Sequence, residues 1–519
     1  MSTPAANRRA LLSVYDKTGI TQLAKVLVDA GWELISSGGT ARAISDAGVE
    51  VTDVADYTGS PIMLGHRVVT LHPRIHGGIL ADRDDPEHRS DLETHGIDTI
   101  DLVVGNLYPF NSEVGDFQYS AERKEELIDI GGPTMVRAAA KNHEFVGVLV
   151  NPDDYPAVID EIRASGELSD ATRRRLARAA FAHTAAYDAS IVSWFDDTDE
   201  ASDADDPLPD SIHLALDRVQ DLRYGENPHQ VGARYRFSGS EGWWDSAVQH
   251  GGKGLSYLNL FDTEAAWRMA HDHAERPAVA VIKHANPCGL AVADDITEAY
   301  QKAHAGDPVS AFGGIVAVNR PVPLALAEAL SEVFTEVIVA PAFEPDALAK
   351  LLEKKNLRVI EARPPSSPRY EMRSIDGGLL VQTTDRIIAG RDDWQVVTDR
   401  PPTDTEWADL EFAWKVVARV SSNTIVLVKD LAAVGIGAGQ QNRRDAGRIA
   451  TDKADGRAVG GACASDAFFP FKDGLEAAIE AGATCVIQPG GSIRDDEVIA
   501  AANEAGMAMV LTGERHFKH

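Results

Sequence analysis

Short apolar runs alternate with amphipathic stretches over roughly the first 190 residues, and this alternation restricts the fold more than any other feature. Residues 10–15 and 33–36 have the length and composition of buried strands, and residues 20–30 have the apolar spacing of a helix. Further strands are predicted at 102–105 and 146–150. Strands and helices in this order predict an open α/β sheet.

An acidic segment at residues 196–210 divides the chain into two parts. Its sequence, DDTDEASDADDPLPD, has no hydrophobic periodicity and contains prolines, so it cannot bury enough apolar surface to form an element of the core. We therefore expect a first domain at 1–195, a linker at 196–212 and a second domain at 213–519. The second part again mixes strands and helices, and no internal repeat is evident in it. Its predicted elements include 278–282, 315–318, 425–428, 474–481, 485–487, 495–505 and 507–511.

The composition excludes several classes of protein. A formal net charge of −30 at pH 7 opposes general nucleic-acid binding, which depends on basic surface. No apolar run approaches the roughly 20 residues of a membrane-spanning helix, and the first apolar stretch is too short for a signal peptide. Cys288, Cys463 and Cys485 are too far apart for a CxxC zinc site or a disulfide framework. We therefore expect a cytoplasmic protein that binds neither nucleic acid nor membrane.

Two segments have the composition of anion-binding corners. Residues 37–40, SGGT, follow a predicted strand and open a predicted helix, where free backbone N–H groups and hydroxyls can bind phosphate. Their spacing matches no standard phosphate or dinucleotide motif, and glycine-rich turns also occur for packing reasons, so both interpretations stay open. The second segment is 129–132, with Arg137 and Lys141 one helical turn apart on the helix predicted at 133–141; such a pair is usually only an exposed basic pair.

Lys283 and His284 directly follow the predicted strand at 278–282. α/β proteins place chemistry at the ends of parallel strands, where a histidine can act as a general base and a lysine can stabilise negative charge. A Lys-His pair is more often structural, but the position before a predicted turn at Pro287-Cys288-Gly289 favours a function. Residues 435–440, GIGAGQ, resemble a dinucleotide loop, but the run that follows is too polar for the helix of such a site.

Read together, the motifs resemble the bifunctional AICAR transformylase/IMP cyclohydrolase family of purine biosynthesis. They occur in the family's order and cover nearly the whole chain. The phrases are SVYDKTG (13–19), SSGGTA (36–41), TLHPRIHGGIL (70–80), NLYPF (106–110), IDIGGPTMVRAAAKNH (128–143), LRYGENPHQ (222–230), KHANPCG (283–289), SAFGGIVA (310–317), SSNTIVL (421–427), GIGAGQQNR (435–443) and SDAFFPFKD (465–473).

The resemblance implies an α/β fold with two active domains and a homodimer. The N-terminal domain would be a methylglyoxal-synthase-like open parallel sheet, and the C-terminal domain would have two cytidine-deaminase-like α/β subdomains. The implied reactions are formyl transfer from 10-formyltetrahydrofolate to the 5-amine of AICAR, giving FAICAR, and dehydrative closure of FAICAR to IMP. We expect no zinc, because the HxE and PCxxC elements of zinc deaminases are missing around His284 and Cys288. Potassium binding is left open. A rival interpretation is a nucleotide sensor without turnover. An assay of formyl transfer distinguishes the sensor from the enzyme.

In the first site, the resemblance assigns proton transfer during ring closure to Lys141, Tyr108 and Asp129. The family reads RVKTLHP where this chain has Val69 in place of the lysine. We expect the cyclohydrolase to tolerate this change, because ring closure joins two groups of one molecule. The implied nucleotide-binding residues are Ser13, Tyr15, Asp16, Lys17, Ser37, Gly38, Gly39, Thr40, Arg67, Thr70, Gly105, Asn106 and Ile130.

In the second site, the implied catalytic residues are Lys283, His284 and Asn423. His284 would be the base for the weakly nucleophilic amine, and Lys283 would stabilise the transition state at the formyl group. The implied folate contacts are Arg444, Phe468, Asp473, Ser492 and Ile493. The implied nucleotide contacts are Arg223, Tyr224, Asn259, Gly313, Glu336, Arg443, Arg515 and His519.

Overall fold

The structure is a computed structural model that describes residues 8–64, 67–107, 110, 125–198 and 207–519. The chain divides into two compact units. The first is Met1–Asp217 with Phe237–Ser240, and the second is Arg218–Arg236 with Glu241–His519. The segment predicted as a linker is helical at its start, since a long helix runs to Thr198, and its residues 199–206 lie outside the described residues.

The first unit contains a parallel sheet of five strands in the order β3-β2-β1-β4-β5, as the sequence predicts. Its strands are β1 (Arg9–Leu12), β2 (Glu33–Ser36), β3 (Thr52–Asp53), β4 (Leu102–Val104) and β5 (Gly147–Leu149). Its helices are α1 (Ile20–Asp29), α2 (Gly38–Asp46), α3 (Val54–Thr58), α4 (Pro73–Leu80), α5 (Pro86–His95), α6 (Gly131–Lys141), α7 (Tyr155–Ser165) and α8 (Asp170–Thr198).

Helices cover both faces of this sheet. Ala10 and Leu12 of β1 belong to an apolar cluster with α1 and α7, whereas Leu11 belongs to a second cluster with α4 and α6. A strand that is buried on both faces reads as a continuous apolar run, which is why periodicity alone located β1 and β4 to within a few residues.

The second unit is built around a mixed sheet of twelve strands. Its strand order is β16-β21-β20-β19-β17-β18-β10-β9-β11-β12-β13-β8, and two separate ribbons pair β6 with β7 and β14 with β15. The strands are β6 (Leu216–Asp221), β7 (Ala233–Phe237), β8 (Val248–Gly251), β9 (Ala278–Lys283), β10 (Asn286–Val292), β11 (Gly314–Val318), β12 (Thr335–Ala340), β13 (Arg358–Glu361), β14 (Tyr370–Ile375), β15 (Gly378–Thr383), β16 (Gln395–Val396), β17 (Ile425–Lys429), β18 (Ala432–Gly437), β19 (Ala462–Ser465), β20 (Cys485–Gln488) and β21 (Ala508–Leu511). The helices are α9 (Trp243–Ser246), α10 (Tyr257–His271), α11 (Ile296–Gly306), α12 (Pro308–Ala311), α13 (Leu324–Ser331), α14 (Pro345–Leu352), α15 (Asp404–Val417), α16 (Arg443–Ala454), α17 (Asp473–Glu480) and α18 (Asp495–Glu504).

The large sheet contains an internal repeat that the sequence did not reveal. Each half has an antiparallel hairpin at the centre (β9–β10 and β17–β18), followed by three parallel strands and an outer antiparallel strand. The two halves join where β10 pairs with β18, at Ala291 and Ala432. The two hairpins therefore point to opposite edges of one sheet.

Two expectations about local structure are wrong. β9 is antiparallel to both of its neighbours, so Lys283 does not end a parallel strand. The predicted Pro287-Cys288-Gly289 turn lies inside β10, and the chain instead reverses at His284 and Ala285. A Cβ on Gly289 would lie 1.8 Å from the carbonyl oxygen of Ala303, so this glycine allows α11 to approach the strand closely.

Within the described ranges, no helix combines the length and the apolar composition that crossing a membrane requires.

Candidate active sites

In the first unit, loops at the carboxyl edge of the parallel sheet meet around Asn106. The side-chain oxygen of Asn106 accepts hydrogen bonds from the backbone N–H groups of Tyr15 (2.7 Å) and Asp16 (2.9 Å). Its amide nitrogen donates to the carbonyl oxygen of Asp16 at 3.0 Å. Asn106 thus fixes the segment after β1, which includes Ser13, against the segment that begins at Gly105.

The SGGT segment lies at the same edge and begins α2. Ser37 precedes the first helical residue and makes no capping bond with its side chain, and Gly38 has a left-handed φ of 54°. Thr40 is buried, and its hydroxyl bonds to both the N–H and the carbonyl of Val14, at 3.1 and 3.0 Å. A Cβ on Gly39 would lie 3.7 Å from the Lys17 ammonium. Free N–H groups at a helix start beside a lysine can bind an anion.

Asp129 lies at the start of α6, also at the carboxyl edge. One of its carboxylate oxygens accepts from the Gly132 N–H at 2.9 Å, and its own N–H donates to the Tyr187 hydroxyl at 2.8 Å. Burial raises the pKa of Asp129, although backbone hydrogen bonds from Gly131 and Gly132 oppose the rise. A Cβ on Gly131 would lie 2.9 Å from the Thr70 hydroxyl, so Thr70 is adjacent. Ile130 is exposed beside it.

Within a single copy of the chain, Lys141 lies far from Asp129. It is the last residue of α6, and α6 runs back from the carboxyl edge to the amino edge before β5. The helix axis between Gly131 and Lys141 is about 15 Å long. The neighbouring Asn142 side chain bonds to the carbonyls of Ile79 and Ala81 at that far edge. Tyr108 lies outside the described residues.

Val69 is half-buried and packs against the apolar cluster under α4 and α6. It lines a cavity of about 140 Å³ together with Val68 and residues 60–63. Arg67, two residues before it, is mostly exposed and forms an ion pair with Glu126. In this chain the position of the family's lysine is therefore part of the hydrophobic packing.

In the second unit, the predicted residues converge on one edge of the twelve-stranded sheet. This site edge holds the ends of β9, β18 and β19–β21 and the starts of β10, β17 and β11–β13, as the strand pairings require. The predicted residues are spread from 223 to 519 in sequence. They meet because the directions of the strands bring the ends of some strands and the starts of others to the same edge.

Lys283 and His284 lie at the tip of the β9–β10 hairpin on the site edge. The Lys283 ammonium donates to the Phe312 carbonyl at 2.7 Å, and a Cβ on Gly313 would lie 3.9 Å from it. His284 is exposed and has a left-handed φ of 55°. The Asn286 side chain accepts from the Ser421 N–H at 2.9 Å, which ties the hairpin to the loop before β17.

That loop holds Asn423 next to a buried ion pair. Arg443 donates to the Asn423 side-chain oxygen at 2.9 Å and to Asp466 at 2.7 Å. Asp466 is fully buried and also accepts from the Ser422 hydroxyl. The Arg443 guanidinium further donates to the Phe468 carbonyl at 3.2 Å. Asn423, Arg443 and the segment after β19 therefore have fixed relative positions.

A second polar cluster forms at the start of β12 and β13. The Asn259 amide donates to Glu336 at 2.8 Å, and Arg358 lies 3.4 Å from the same carboxylate. Burial lowers the pKa of Arg358, and the charges of Glu336, Arg223 and Tyr224 also act on it. The Arg223 guanidinium stacks over the Tyr224 ring, 5.3 Å from its centroid.

The implied folate residues follow β18, β19 and β20. Arg444 lies exposed in the first turn of α16, and Asp473 begins α17. Phe468 is 37% exposed and Ile493 is fully exposed, while Ser492 accepts from the Arg494 N–H at 3.1 Å. Arg444, Phe468 and Ile493 are therefore exposed at the surface.

The C-terminal tail packs against the rest of the second unit. The Lys518 carbonyl accepts from the Ser422 N–H at 2.8 Å, and the His516 ring lies 2.9 Å from Asp385. Arg373 donates to the His519 carbonyl. Arg515 stacks on Phe517, 4.5 Å from the ring centroid.

Four residues that the sequence did not single out support these groups: Asp262, Asn286, Arg358 and Asp466. Asp466 and Asn286 lie inside matched phrases, so their motifs were a signal, whereas Asp262 and Arg358 had none. The glycines at 435 and 437 lie in β18, where a Cβ would meet the Ala450 and Ala446 carbonyls at 2.1 and 1.9 Å. They serve helix packing, which agrees with the prediction that they form no dinucleotide loop. Among the described residues, no three His, Cys, Asp or Glu side chains cluster as metal ligands.

Known proteins match this chain along its length. Residues 139–453 match the family model of the AICARFT/IMPCHase bienzyme, and residues 19–134 match that of the MGS-like domain. The bifunctional purine biosynthesis protein PurH of Parvibaculum lavamentivorans is 51% identical over 527 residues, covering 99% of this chain and 97% of that protein. The chain belongs to the AICARFT/IMPCHase bienzyme family. The crystal structure of ForH shares 39% identity over 37% of this chain and 100% of its own, with a TM-score of 0.34.

Membership confirms the predicted function. The protein is an AICAR formyltransferase and an IMP cyclohydrolase of purine biosynthesis, and formyl transfer implies a folate cosubstrate. The MGS-like match confirms the predicted fold class of the N-terminal part. The likeness of the two halves of the large sheet to cytidine deaminases stays a prediction.

Proposed function

We propose that the site edge of the second unit transfers the formyl group from 10-formyltetrahydrofolate to AICAR, and that the carboxyl edge of the first unit closes FAICAR to IMP. The observation that supports this assignment is convergence. Residues implied in formyl transfer lie far apart in sequence and meet on one sheet edge, and most of those implied in ring closure meet on another.

In formyl transfer, the 5-amine of AICAR attacks the formyl carbon while the bond from that carbon to the folate nitrogen breaks. The amine is a weak nucleophile because its lone pair is delocalised into the heterocycle, so it must lose a proton as the new bond forms. His284 is exposed at the hairpin tip and takes this proton. The Lys283 ammonium stabilises the negative charge that develops on the formyl oxygen, and the departing folate nitrogen receives the proton that His284 took from the amine.

The polar clusters on either side of the hairpin bind the two reactants. Arg223, Tyr224, Asn259 and Glu336 surround Arg358 and bind the nucleotide. On the other side, Arg443 holds Asn423 in place and also contacts the nucleotide, and the exposed apolar side chains of Phe468 and Ile493 pack against the folate. Arg515 and His519 complete the nucleotide site from the docked tail.

In ring closure, the carboxamide nitrogen of FAICAR attacks the formyl carbon and water leaves. Asp129 keeps a proton to higher pH than an ordinary carboxyl group, so it is suited to protonate the departing oxygen. The N-terminus of α2 and Lys17 bind the phosphate, and Asn106 fixes the loop that lies over the ribose.

Lys141 can take part in ring closure only if a second copy of the chain brings it to this edge. The test is to mix Lys141→Ala with Asp129→Asn under conditions that exchange subunits. A shared site would restore about a quarter of the wild-type sites. No recovery, with both single variants inactive, would contradict sharing.

We also propose a homodimer that associates through the second unit, in the cytoplasm. The β14–β15 ribbon exposes Met372, Ile375, Leu379 and Leu380, and Ile388 follows it with 87% of its surface exposed. Apolar side chains clustered in this way are typical of a protein interface. Cys288, Cys463 and Cys485 are all buried and unpaired, as in a reducing compartment. The absence of bound zinc stays a prediction, and potassium binding stays open.

The experiment that tests the assignment uses His284→Ala and Lys283→Ala. Each should lower formyl transfer by about 10²–10⁴-fold, because each removes a group that acts on the reacting atoms. Cyclisation of supplied FAICAR should be unchanged, because it uses the first unit. Loss of both activities together would indicate a structural role for the pair, and retention of formyl transfer would contradict the assignment.

A further inference from the structure

The carboxylate of Asp262, on α10, holds the backbone of the turn that carries His284. Its two oxygens accept hydrogen bonds from the N–H groups of His284 (3.2 Å) and Ala285 (2.9 Å). Both turn residues have left-handed backbones, with φ of 55° and 57°. Two-residue turns of this kind favour glycine and asparagine, because other residues adopt positive φ only at a cost. The carboxylate therefore maintains a turn that its own sequence disfavours.

The other half of the sheet repeats this arrangement at Asp409. Asp409 has the same position in α15 as Asp262 has in α10. Its carboxylate accepts hydrogen bonds from the N–H groups of Asp430 (3.2 Å) and Leu431 (2.8 Å). Those residues have φ of 50° and 59°. Burial raises the pKa of both Asp262 and Asp409. The protein thus contains two copies of one carboxylate-held turn.

The two turns differ in what they present and in where they lie. The first presents Lys283 and His284 on the site edge, and the second presents Lys429 and Asp430 on the opposite edge. The common feature stabilises a hairpin. Only in the first copy is a candidate catalytic base attached to it.

We propose that Asp262 is a positioning residue for formyl transfer, which fixes the backbone of His284 and hence the direction of its imidazole ring. This inference rests on the proposed role of His284. Asp262 is buried, and backbone donors occupy both of its oxygens, so it acts through the turn and not on the substrate. A misplacement of about 1 Å in a reacting group can cost roughly 10²-fold in rate.

The internal repeat supplies a matched control for the test. Asp262→Asn and Asp409→Asn in the full chain each leave one turn N–H without its acceptor, so both should lower the unfolding midpoint by similar amounts. Only Asp262→Asn should lower kcat for formyl transfer, by about tenfold or more, with the KM for AICAR within about twofold. Cyclisation should be unchanged in both. An equal effect of the two variants on kcat, or an effect of Asp262→Asn on KM alone, would overturn the proposal.

A double variant separates positioning from a general structural effect. If Asp262 acts through His284, adding Asp262→Asn to His284→Ala should leave the residual rate unchanged, because residues that act as a unit are not additive. A further loss equal to that of the single variant would overturn the inference. Full activity of His284→Ala would instead contradict the proposed base, whatever Asp262 does.

If Asp262→Asn does not fold, the two Asp→Asn substitutions are compared in variants whose turns are stable without the carboxylate. Ala285→Gly and Leu431→Gly adopt positive φ at low cost and stabilise each turn without its carboxylate. The same difference in kcat between the two Asp→Asn substitutions is expected in these backgrounds, and its absence there would overturn the proposal.

Discussion

Val69 puts an apolar side chain at the position where the family's motif in the first site has a lysine. Its side chain packs into the apolar cluster beside α4. Asp129, which is proposed to protonate the departing oxygen, lies at the start of α6. Closing a ring within one molecule relies chiefly on orientation, which can supply an effective molarity of about 10⁵–10⁸ M. We therefore expect ring closure to proceed without the lysine.

We expect Val69→Lys to change the cyclisation rate by less than about tenfold, or roughly 1.4 kcal/mol in activation free energy. Val68→Lys is the matched control, because it adds the same charge beside the same cavity. Steady-state cyclisation of FAICAR is the measurement. A gain well above tenfold that is specific to Val69→Lys would show that the family's lysine performs the proton transfer.

Asp129 should make stability depend on pH in a defined direction. Burial raises its pKa in the folded state, so its contribution to stability is full below the pKa of an unfolded Asp, about 4, and is lost as the pH rises through the folded value. Asp129→Asn cannot ionise and still offers an oxygen to the Gly132 N–H. Relative to wild type, its free energy of unfolding should therefore increase from about pH 3 to pH 7, while cyclisation falls.

Asp16 gives the opposite sign and serves as the control for that measurement. Hydrogen bonds from Thr18 lower its pKa, so its contribution is present above the unfolded pKa and is lost as the pH falls. Asp16→Asn should be less stable than wild type at neutral pH and equal to it in acid. Urea unfolding across this pH range measures both variants. If the free energies of unfolding of the two variants, relative to wild type, changed in the same direction with pH, the raised pKa of Asp129 would be contradicted.

At the residue scale, the sequence supplied positions but not partners. The phrases located Asn106, His284 and Arg443, because each lies inside a motif. They could not predict that Asp262 bonds to a turn 22 positions away or that Arg358 reaches Glu336, since such contacts depend on how strands align in the folded sheet. The position of Lys141 is the clearest example, because the phrase that contains it also contains Asp129 and α6 separates the two.

At the scale of elements, apolar periodicity located most of the buried strands that it was applied to, and it failed where glycine and proline occur inside a strand. Pro287, Gly289, Gly435 and Gly437 have the composition of turns, yet they lie in β10 and β18. For the three glycines the reason is the close approach of α11 and α16, which leaves no room for a Cβ. The internal repeat was hidden for a related reason: strand order and turn geometry are repeated, while few side chains are.

Because α16 packs closely on β18, we expect a packing defect in Gly435→Ala. The added Cβ would lie 2.1 Å from the Ala450 carbonyl, so α16 must shift, at a cost of about 1–3 kcal/mol in the free energy of unfolding. Gly378→Ala is the control, because an added Cβ there has no neighbour within 4 Å. Differential scanning calorimetry should show a lower midpoint for Gly435→Ala only, with formyl transfer retained at low temperature. Loss of activity without loss of stability would favour a binding loop instead.

At the scale of the whole molecule, the division into two units would give each reaction its own framework under the proposed assignment. The acidic composition predicts a linker from residue 196, whereas α8 continues through Trp194 and Phe195 to Thr198. Acidic residues at the end of an exposed helix and acidic residues in a linker look alike in sequence, so composition could not locate this boundary to the residue.

The first unit should therefore work alone only when α8 is complete. Leu176 and Ala180 of α8 fill the clusters on the two faces of the sheet, and the Tyr187 hydroxyl accepts from the Asp129 N–H. The Trp194 ring packs edge-on against Phe110 at 5.5 Å. We expect a fragment of residues 1–198 to unfold cooperatively and to cyclise supplied FAICAR at a rate close to that of the full chain.

A second fragment, of residues 1–169, tests the reason for that expectation. It retains the five strands and lacks α8, so both apolar clusters open to water and Asp129 loses the hydroxyl that fixes its backbone. Removing Leu176 alone from the core should cost about 2–5 kcal/mol, and removing the whole helix should prevent folding. Circular dichroism and FAICAR cyclisation measure both fragments. A folded 1–198 fragment that fails to cyclise, beside an active full chain, would mean that ring closure needs the second unit, either for its own groups or for the dimer that it forms.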